Sequence, residues 1–159
     1  MNTTLIDNFG REINSARLSV TDRCDFRCVY CMAEKMTFLS KKDVLSLEEL
    51  YQTASALVAS GIKKIRLTGG EPLIRNNIMW LIEKISQLEG LEELTLTTNG
   101  SQLVKYAKQL RSFGIKRINI SIDSLDAEKF QQITRTGKLQ PVLNGIDAAI
   151  DAGFESIKL

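Results

Sequence analysis

Two hydrophobic periods alternate along this chain. Four segments share one local pattern: GIKKIRLT from Gly61, GLEELTLT from Gly90, GIKRINIS from Gly114 and GFESIKL from Gly153. Each reads as glycine, an apolar residue, two mostly charged residues, and then alternating apolar and polar positions. That alternation predicts a strand, and the leading glycine predicts the cap of the helix before it. Between these segments the period changes to 3.6. Leu47, Leu50, Tyr51, Ala54, Leu57 and Val58 form an apolar stripe behind Ser46, a capping serine followed by Glu48 and Glu49. Ile78, Leu81, Ile82, Ile85 and Leu88 form a second stripe, and Leu103, Val104, Ala107 and Leu110 a third. Residues 126–133 predict a shorter helix. Val142, Leu143, Ile146, Ala149 and Ile150 give another, with Pro141 in its first turn. Adding a first strand at ARLSVT, residues 16–21, gives β-α-β-α-β-α-β-α-β, a succession that implies parallel strands with helical crossovers.

The polar positions of the strands narrow the fold class. Ile65 and Leu67, Leu94 and Leu96, and Ile118 and Ile120 would face the helices. Arg17, Ser19, Thr21, Arg66, Thr68, Thr95, Thr97, Asn119, Ser121 and Lys158 would then share the other face. A flat doubly wound sheet is covered on both sides and needs apolar residues on both. A consistently polar second face instead argues for a sheet curved around a solvated, ligand-filled cavity. The expectation is therefore α/β, a partial (βα) TIM-like barrel rather than a Rossmann-like sheet; the simpler alternative is that some of these polar residues merely meet solvent at strand ends.

Composition changes this picture little. The chain has 159 residues, 43% hydrophobic and 25% charged, enough for one ordinary core. Its 21 basic and 19 acidic residues are mixed along the sequence and leave a net charge of +2, too weak a field to suggest nucleic acid as a general partner. No targeting segment or run of membrane-spanning length is seen, so a soluble cytoplasmic protein with no membrane partner is expected.

The candidate chemistry lies in TDRCDFRCVYCMAE, residues 21–34, which holds all three cysteines of a chain without histidine. The loop follows the first strand, at the carboxyl end of a barrel strand, where such folds place their active sites. Clustered cysteines in a reducing compartment point to metal binding or catalysis rather than a disulfide. Cys24, Cys28 and Cys31 are spaced C-x3-C-x2-C. A closed zinc site needs a fourth ligand, which neither a histidine nor another cysteine supplies. A four-iron four-sulfur cluster on three cysteines instead keeps one iron open. TGGEP, Thr68 to Pro72, follows the second strand. Its glycines would let a ligand approach the backbone, and Glu71 would accept hydrogen bonds from an ammonium group, although such a turn alone is often only a turn.

C-x3-C-x2-C with Tyr30 before the last cysteine, followed by GGEP one βα unit later, resembles the signature of radical S-adenosylmethionine (SAM) enzymes. The resemblance implies a cluster whose open iron chelates SAM, with reductive cleavage giving a 5'-deoxyadenosyl radical. The longer phrases TDRCDFRCVYCMAE, FLSKKDVLSLEEL, IRLTGGEPLIR, LTTNG and INISIDSLD closely resemble the GTP 3',8-cyclase family of molybdenum cofactor biosynthesis. That resemblance implies a lyase that converts GTP to 3',8-cyclo-7,8-dihydro-GTP by hydrogen abstraction at the ribose C3'. By position it assigns Cys24, Cys28 and Cys31 to the cluster and Tyr30, Gly69, Gly70, Glu71 and Ser121 to SAM. It assigns Arg17, Arg66, Thr97 and Lys158 to GTP. An electron donor is implied as a partner, and a homodimer is compatible with the resemblance. The strand residues among these assignments all fall on the polar face deduced from alternation, where Arg and Lys suit a triphosphate.

Two departures stand out. The family usually carries Pro between Met and Ala after the third cysteine, whereas this chain reads CMAE, one residue shorter. The pattern also stops inside the fifth strand, so residues 1–159 are expected to be the N-terminal part of the core domain. The C-terminal region with its second four-iron four-sulfur cluster would then be missing, and the fragment would be inactive in cyclisation. The rival readings are another radical SAM enzyme, such as a peptide-modifying one, and an iron-sulfur electron carrier.

Overall fold

The computed structural model describes residues 4–159. Five strands, β1 (Ser15–Ser19), β2 (Lys64–Thr68), β3 (Glu93–Thr98), β4 (Arg117–Ile120) and β5 (Ser156–Lys158), form one sheet, every neighbouring pair parallel, in the order β1-β2-β3-β4-β5. Each crossover therefore steps the same way across the sheet. Because parallel crossovers are right-handed, the connecting helices fall on one face. A doubly wound sheet would reverse its order at a switch point and cover both faces. The topology is that of a partial (βα) barrel, as the polar second face predicted.

The helices are α1 (Leu47–Ala59), α2 (Ile78–Ser86), α3 (Leu103–Ser112), α4 (Ala127–Thr134) and α5 (Leu139–Asp151). Local chemistry explains their ends. At α1 the Ser46 hydroxyl accepts from the Glu49 N–H at 3.1 Å and the Glu49 carboxylate accepts from the Ser46 N–H at 2.7 Å, a complete capping box. At α4 the Asp126 carboxylate accepts from the N–H groups of Glu128 and Lys129, each at 3.0 Å. The four repeat glycines all have positive φ: Gly61 at 99°, Gly90 at 93°, Gly114 at 86° and Gly153 at 76°. A side chain would resist that conformation, which is why the pattern begins with glycine. Strand β1 is displaced slightly from the expected residues 16–21, yet the Val20 N–H still donates to the Thr68 carbonyl at 2.9 Å. The chain thus continues beside β2 into the cysteine loop.

The core lies between the sheet and the helices. Ile65, Leu67 and Leu96 are wholly buried, with Ile118 and Ile120 nearly so, in one cluster with Leu81, Ile82 and Ile85 of α2, Leu103 and Leu110 of α3, and Val142 and Ala149 of α5. Each large apolar side chain so buried stabilises the fold by about 1.5–3 kcal/mol relative to exposure. The other face stays polar: Arg17, Ser19 and Lys158 are exposed, while Arg66, Thr68, Thr97 and Asn119 are half-buried. Thr95 departs from the expectation of a solvated face. It is buried, and its hydroxyl accepts from Arg66 Nε at 3.3 Å. Among the described residues no helix is long and apolar enough to cross a membrane.

Candidate functional site

The three cysteines lie on the long connection from β1 to α1, and much of that connection is held by the far end of α4. The N–H groups of Arg27 and Val29 donate to the carbonyls of Thr134 and Ile133, both at 2.9 Å. The Thr136 hydroxyl donates to the Asp25 carbonyl at 2.8 Å, and Phe26 packs edge-on against Phe130 with ring centres 5.8 Å apart. Arg135, in the left-handed region at φ 59°, donates to the carbonyls of Arg27 and Met32 at 3.3 and 3.2 Å. Its guanidinium thus spans the turn that carries Cys28 and Cys31. Within that turn the N–H groups of Cys31 and Met32 both donate to the Cys28 carbonyl at 3.0 Å.

All three thiols are free and line one cavity of about 260 Å³, together with Ser19, Gly69 and Gly70. Cys24 and Cys28 are half-buried and Cys31 is exposed. Burial pushes the Cys24 thiol up to about 11, against the Phe26 N–H that points at its sulfur, and burial also raises Cys28. A cationic metal centre would reverse that preference, since a coordinated thiol is held as thiolate. Among the described residues no group of three or more Cys, His, Asp or Glu converges as the ligands of a single ion do. A set of three thiols around one cavity fits an iron-sulfur cluster better than a closed zinc site, which takes four ligands.

The GGE turn takes its shape from the cysteine loop. The Gly70 N–H donates to the Thr21 carbonyl at 2.7 Å and the Glu71 N–H to the Arg23 carbonyl at 2.8 Å. A Cβ on Gly69 would stand 2.5 Å from the Thr21 carbonyl oxygen, and one on Gly70 would overlap the Arg23 backbone. The glycines are thus required by the approach of the chain's own backbone, besides any ligand. Glu71 is turned away from the cavity. Its carboxylate is 1% exposed and accepts from the Leu73 N–H at 3.0 Å, the Thr98 hydroxyl at 2.8 Å and the Asn99 N–H at 2.6 Å. The expected acceptor for an ammonium group is therefore a buried tie between the β2 and β3 turns. Burial raises its pKa to about 7, with the donated hydrogen bonds opposing.

The remaining sequence-predicted residues fall into two rows on the open face. Arg17 pairs with Arg66, which pairs with Thr95, across β1, β2 and β3. One pleat further on, Thr97 pairs with Asn119, which pairs with Lys158, across β3, β4 and β5. Arg17 and Lys158 lie on strands at opposite edges of the sheet. Ser121 follows β4, exposed, with its N–H on the Thr98 carbonyl at 2.8 Å. The Tyr30 hydroxyl donates to Asp123 at 3.0 Å, and burial and that carboxylate together raise its pKa. Arg75, which the strand and helix patterns do not single out, donates to the carbonyls of Val20 and Leu45 and clamps the loop from the other side. A larger cleft of about 700 Å³ beside Arg23 and Arg75 contains none of the residues assigned to cluster, SAM or GTP, and its wall mixes Lys41 and Lys42 with Asp22 and Glu49. The thiol-lined cavity is the better candidate on chemistry.

The architecture is a parallel βα half-barrel with a three-thiol loop over the strand ends. The radical SAM superfamily model matches residues 18–159, and the chain belongs to that superfamily. Membership implies a four-iron four-sulfur cluster and SAM. Over 157 residues the chain is 60% identical to the GTP 3',8-cyclase of Marinobacter nauticus, covering 99% of this chain and 47% of that protein. The GTP 3',8-cyclase of Sinorhizobium medicae is 59% identical over 155 residues, 96% of this chain and 44% of its own length. The chain thus spans about half the length of the curated relatives it matches. SuiB of Streptococcus suis, solved bound to S-adenosylmethionine, shares the fold with a TM-score of 0.72 over 91% of this chain and 33% of its own, at 17% identity.

Proposed function

We propose that this chain is the N-terminal part of the core domain of a radical SAM GTP 3',8-cyclase, which converts GTP to 3',8-cyclo-7,8-dihydro-GTP in molybdenum cofactor biosynthesis. The observation that carries the nucleotide reading is the pair Arg17 and Arg66, side by side in register on the open face, with Lys158 on the same face at the opposite edge of the sheet. Cations on the uncovered face of the sheet suit an anionic partner, and a triphosphate offers charge-assisted hydrogen bonds to each. Thr95 supports it by holding the Arg66 guanidinium from its Nε side. The identity to curated GTP 3',8-cyclases supports the same substrate.

In this reading Cys24, Cys28 and Cys31 hold a four-iron four-sulfur cluster with one open iron. When bound, that cluster supplies the electron that cleaves SAM and so generates the hydrogen-abstracting radical. The protein's own residues orient the reactants. Tyr30, Gly69, Gly70 and Ser121 border the space for SAM, with backbone groups of the GGE turn rather than the Glu71 carboxylate available to its amino group. Arg17, Arg66, Thr97 and Lys158 would bind GTP on the open face of the strands. An external electron donor in the cytoplasm would serve the reaction. A second cluster and contacts to the base would lie outside residues 1–159. Binding of GTP and other nucleoside triphosphates to anaerobically reconstituted protein tests the substrate. Triphosphate binding, weakened in Arg66→Ala, is expected; no triphosphate binding, or a peptide binding in its place, would overturn the reading.

A further inference from the structure

The turn after β3 reaches the cysteine loop through Asn99. The Asn99 side-chain N–H donates to the Asp25 carboxylate at 2.7 Å, and the same nitrogen lies 3.9 Å from Cys24 Sγ. The Ser101 hydroxyl occupies the other Asp25 oxygen at 2.6 Å. Asn99 is itself fixed at two further points: its backbone N–H donates to Glu71 at 2.6 Å, and its side-chain oxygen accepts from the Ser101 N–H at 3.0 Å. Gly145 of α5 packs so closely on the Gly100 carbonyl that no Cβ fits between them. The amide nitrogen is thus held on Asp25 with its second N–H beside Cys24. The Phe26 N–H supplies a second donor to that sulfur, at 3.4 Å.

We infer that Asn99 is a positioning residue that tunes the reduction potential of the cluster through Cys24. The inference rests on the reading of Cys24 as a cluster ligand. An N–H directed at a ligating sulfur stabilises the more negative, reduced cluster, and hydrogen bonds to sulfur are among the features that set such potentials. Asp25 keeps the amide in place by engaging its nitrogen, and Ser101 keeps Asp25 in place.

The test is an anaerobic redox titration of the reconstituted protein, followed by the electron paramagnetic resonance signal of the reduced cluster. Asn99→Ala removes the amide without adding charge and carries the test; Asn99→Asp keeps an acceptor for the Ser101 N–H but replaces the donor with a negative charge beside Asp25, which should lower the midpoint further. Both are expected to load iron as the parent does. Asn99→Ala should lower the ratio of reduced to oxidised cluster about tenfold at the parent midpoint, about 59 mV for one electron. Ser101→Ala, which removes a hydroxyl from Asp25 and Gln102 but leaves the Asn99 donor present, should shift the midpoint much less than either Asn99 variant. An unchanged midpoint in Asn99→Ala, or an equal shift in Ser101→Ala, would overturn the inference. Loss of the cluster from both Asn99 variants would overturn it too, by making Asn99 a structural clamp. A parent protein that takes up no four-iron cluster would instead refute the functional reading beneath it.

Discussion

Leu67 and Arg66 are neighbours on β2 and meet opposite surroundings. Leu67 is wholly buried beneath the helices, whereas Arg66 is half-buried on a face that no helix covers. The same division runs through the sheet, because sequential strand order sends the crossovers to one side. One side of each strand is therefore committed to stability, and the other is free to carry ligand chemistry. The cysteine loop and the GGE turn sit where both demands meet, at the carboxyl ends of the strands.

Substitutions on the two faces should consequently have separable effects. The largest is expected at the loop: Cys24→Ala should abolish cluster uptake, read as iron and sulfide per chain, while circular dichroism still shows the parent helices and strands. On the covered face, Leu67→Ala should cost about 2–5 kcal/mol in urea unfolding. At the junction, Gly70→Ala forces a Cβ into the Arg23 backbone and should cost about 1–3 kcal/mol while lowering cluster retention. Glu71→Gln places an NH2 group against the Asn99 N–H and should cost about 1–3 kcal/mol. The wild-type Glu71 carboxyl has its folded pKa raised to about 7 by burial. The folded state then binds more protons than the unfolded one between about 4.5 and 7, so this group's contribution to stability falls as pH rises through that window. Subtracting the Glu71→Gln unfolding profile from the wild-type profile should show that slope. On the open face, Arg66→Ala should change stability by no more than about 0.5 kcal/mol yet weaken triphosphate binding roughly tenfold or more by calorimetry.

Much of this division was readable from alternation alone. Ile65, Leu67, Leu96, Ile118 and Ile120 are buried as their period demands, and the glycines that open each repeat have the positive φ of a helix cap. The three cysteines announced themselves by number and spacing. What local pattern does not carry is long-range pairing. Glu71 looks like an exposed turn acceptor in sequence, and only the arrival of the β3 turn makes it a buried tie. Asn99 and Ser101 meet Asp25 across 74 and 76 residues, and no period links them. Thr95 reads as one more polar-face residue until Arg66 folds over it. The phrase LTTNG at the end of a strand, where barrel sites gather, was the available signal for Asn99.

The central claim is that three cysteines leave one iron open for SAM. Anaerobic reconstitution with iron and sulfide, reduction, and electron paramagnetic resonance with and without SAM test it most directly. The account predicts a four-iron spectrum that changes when SAM is added, with 5'-deoxyadenosine formed on reduction. A cluster whose spectrum is indifferent to SAM, with no 5'-deoxyadenosine, would contradict it.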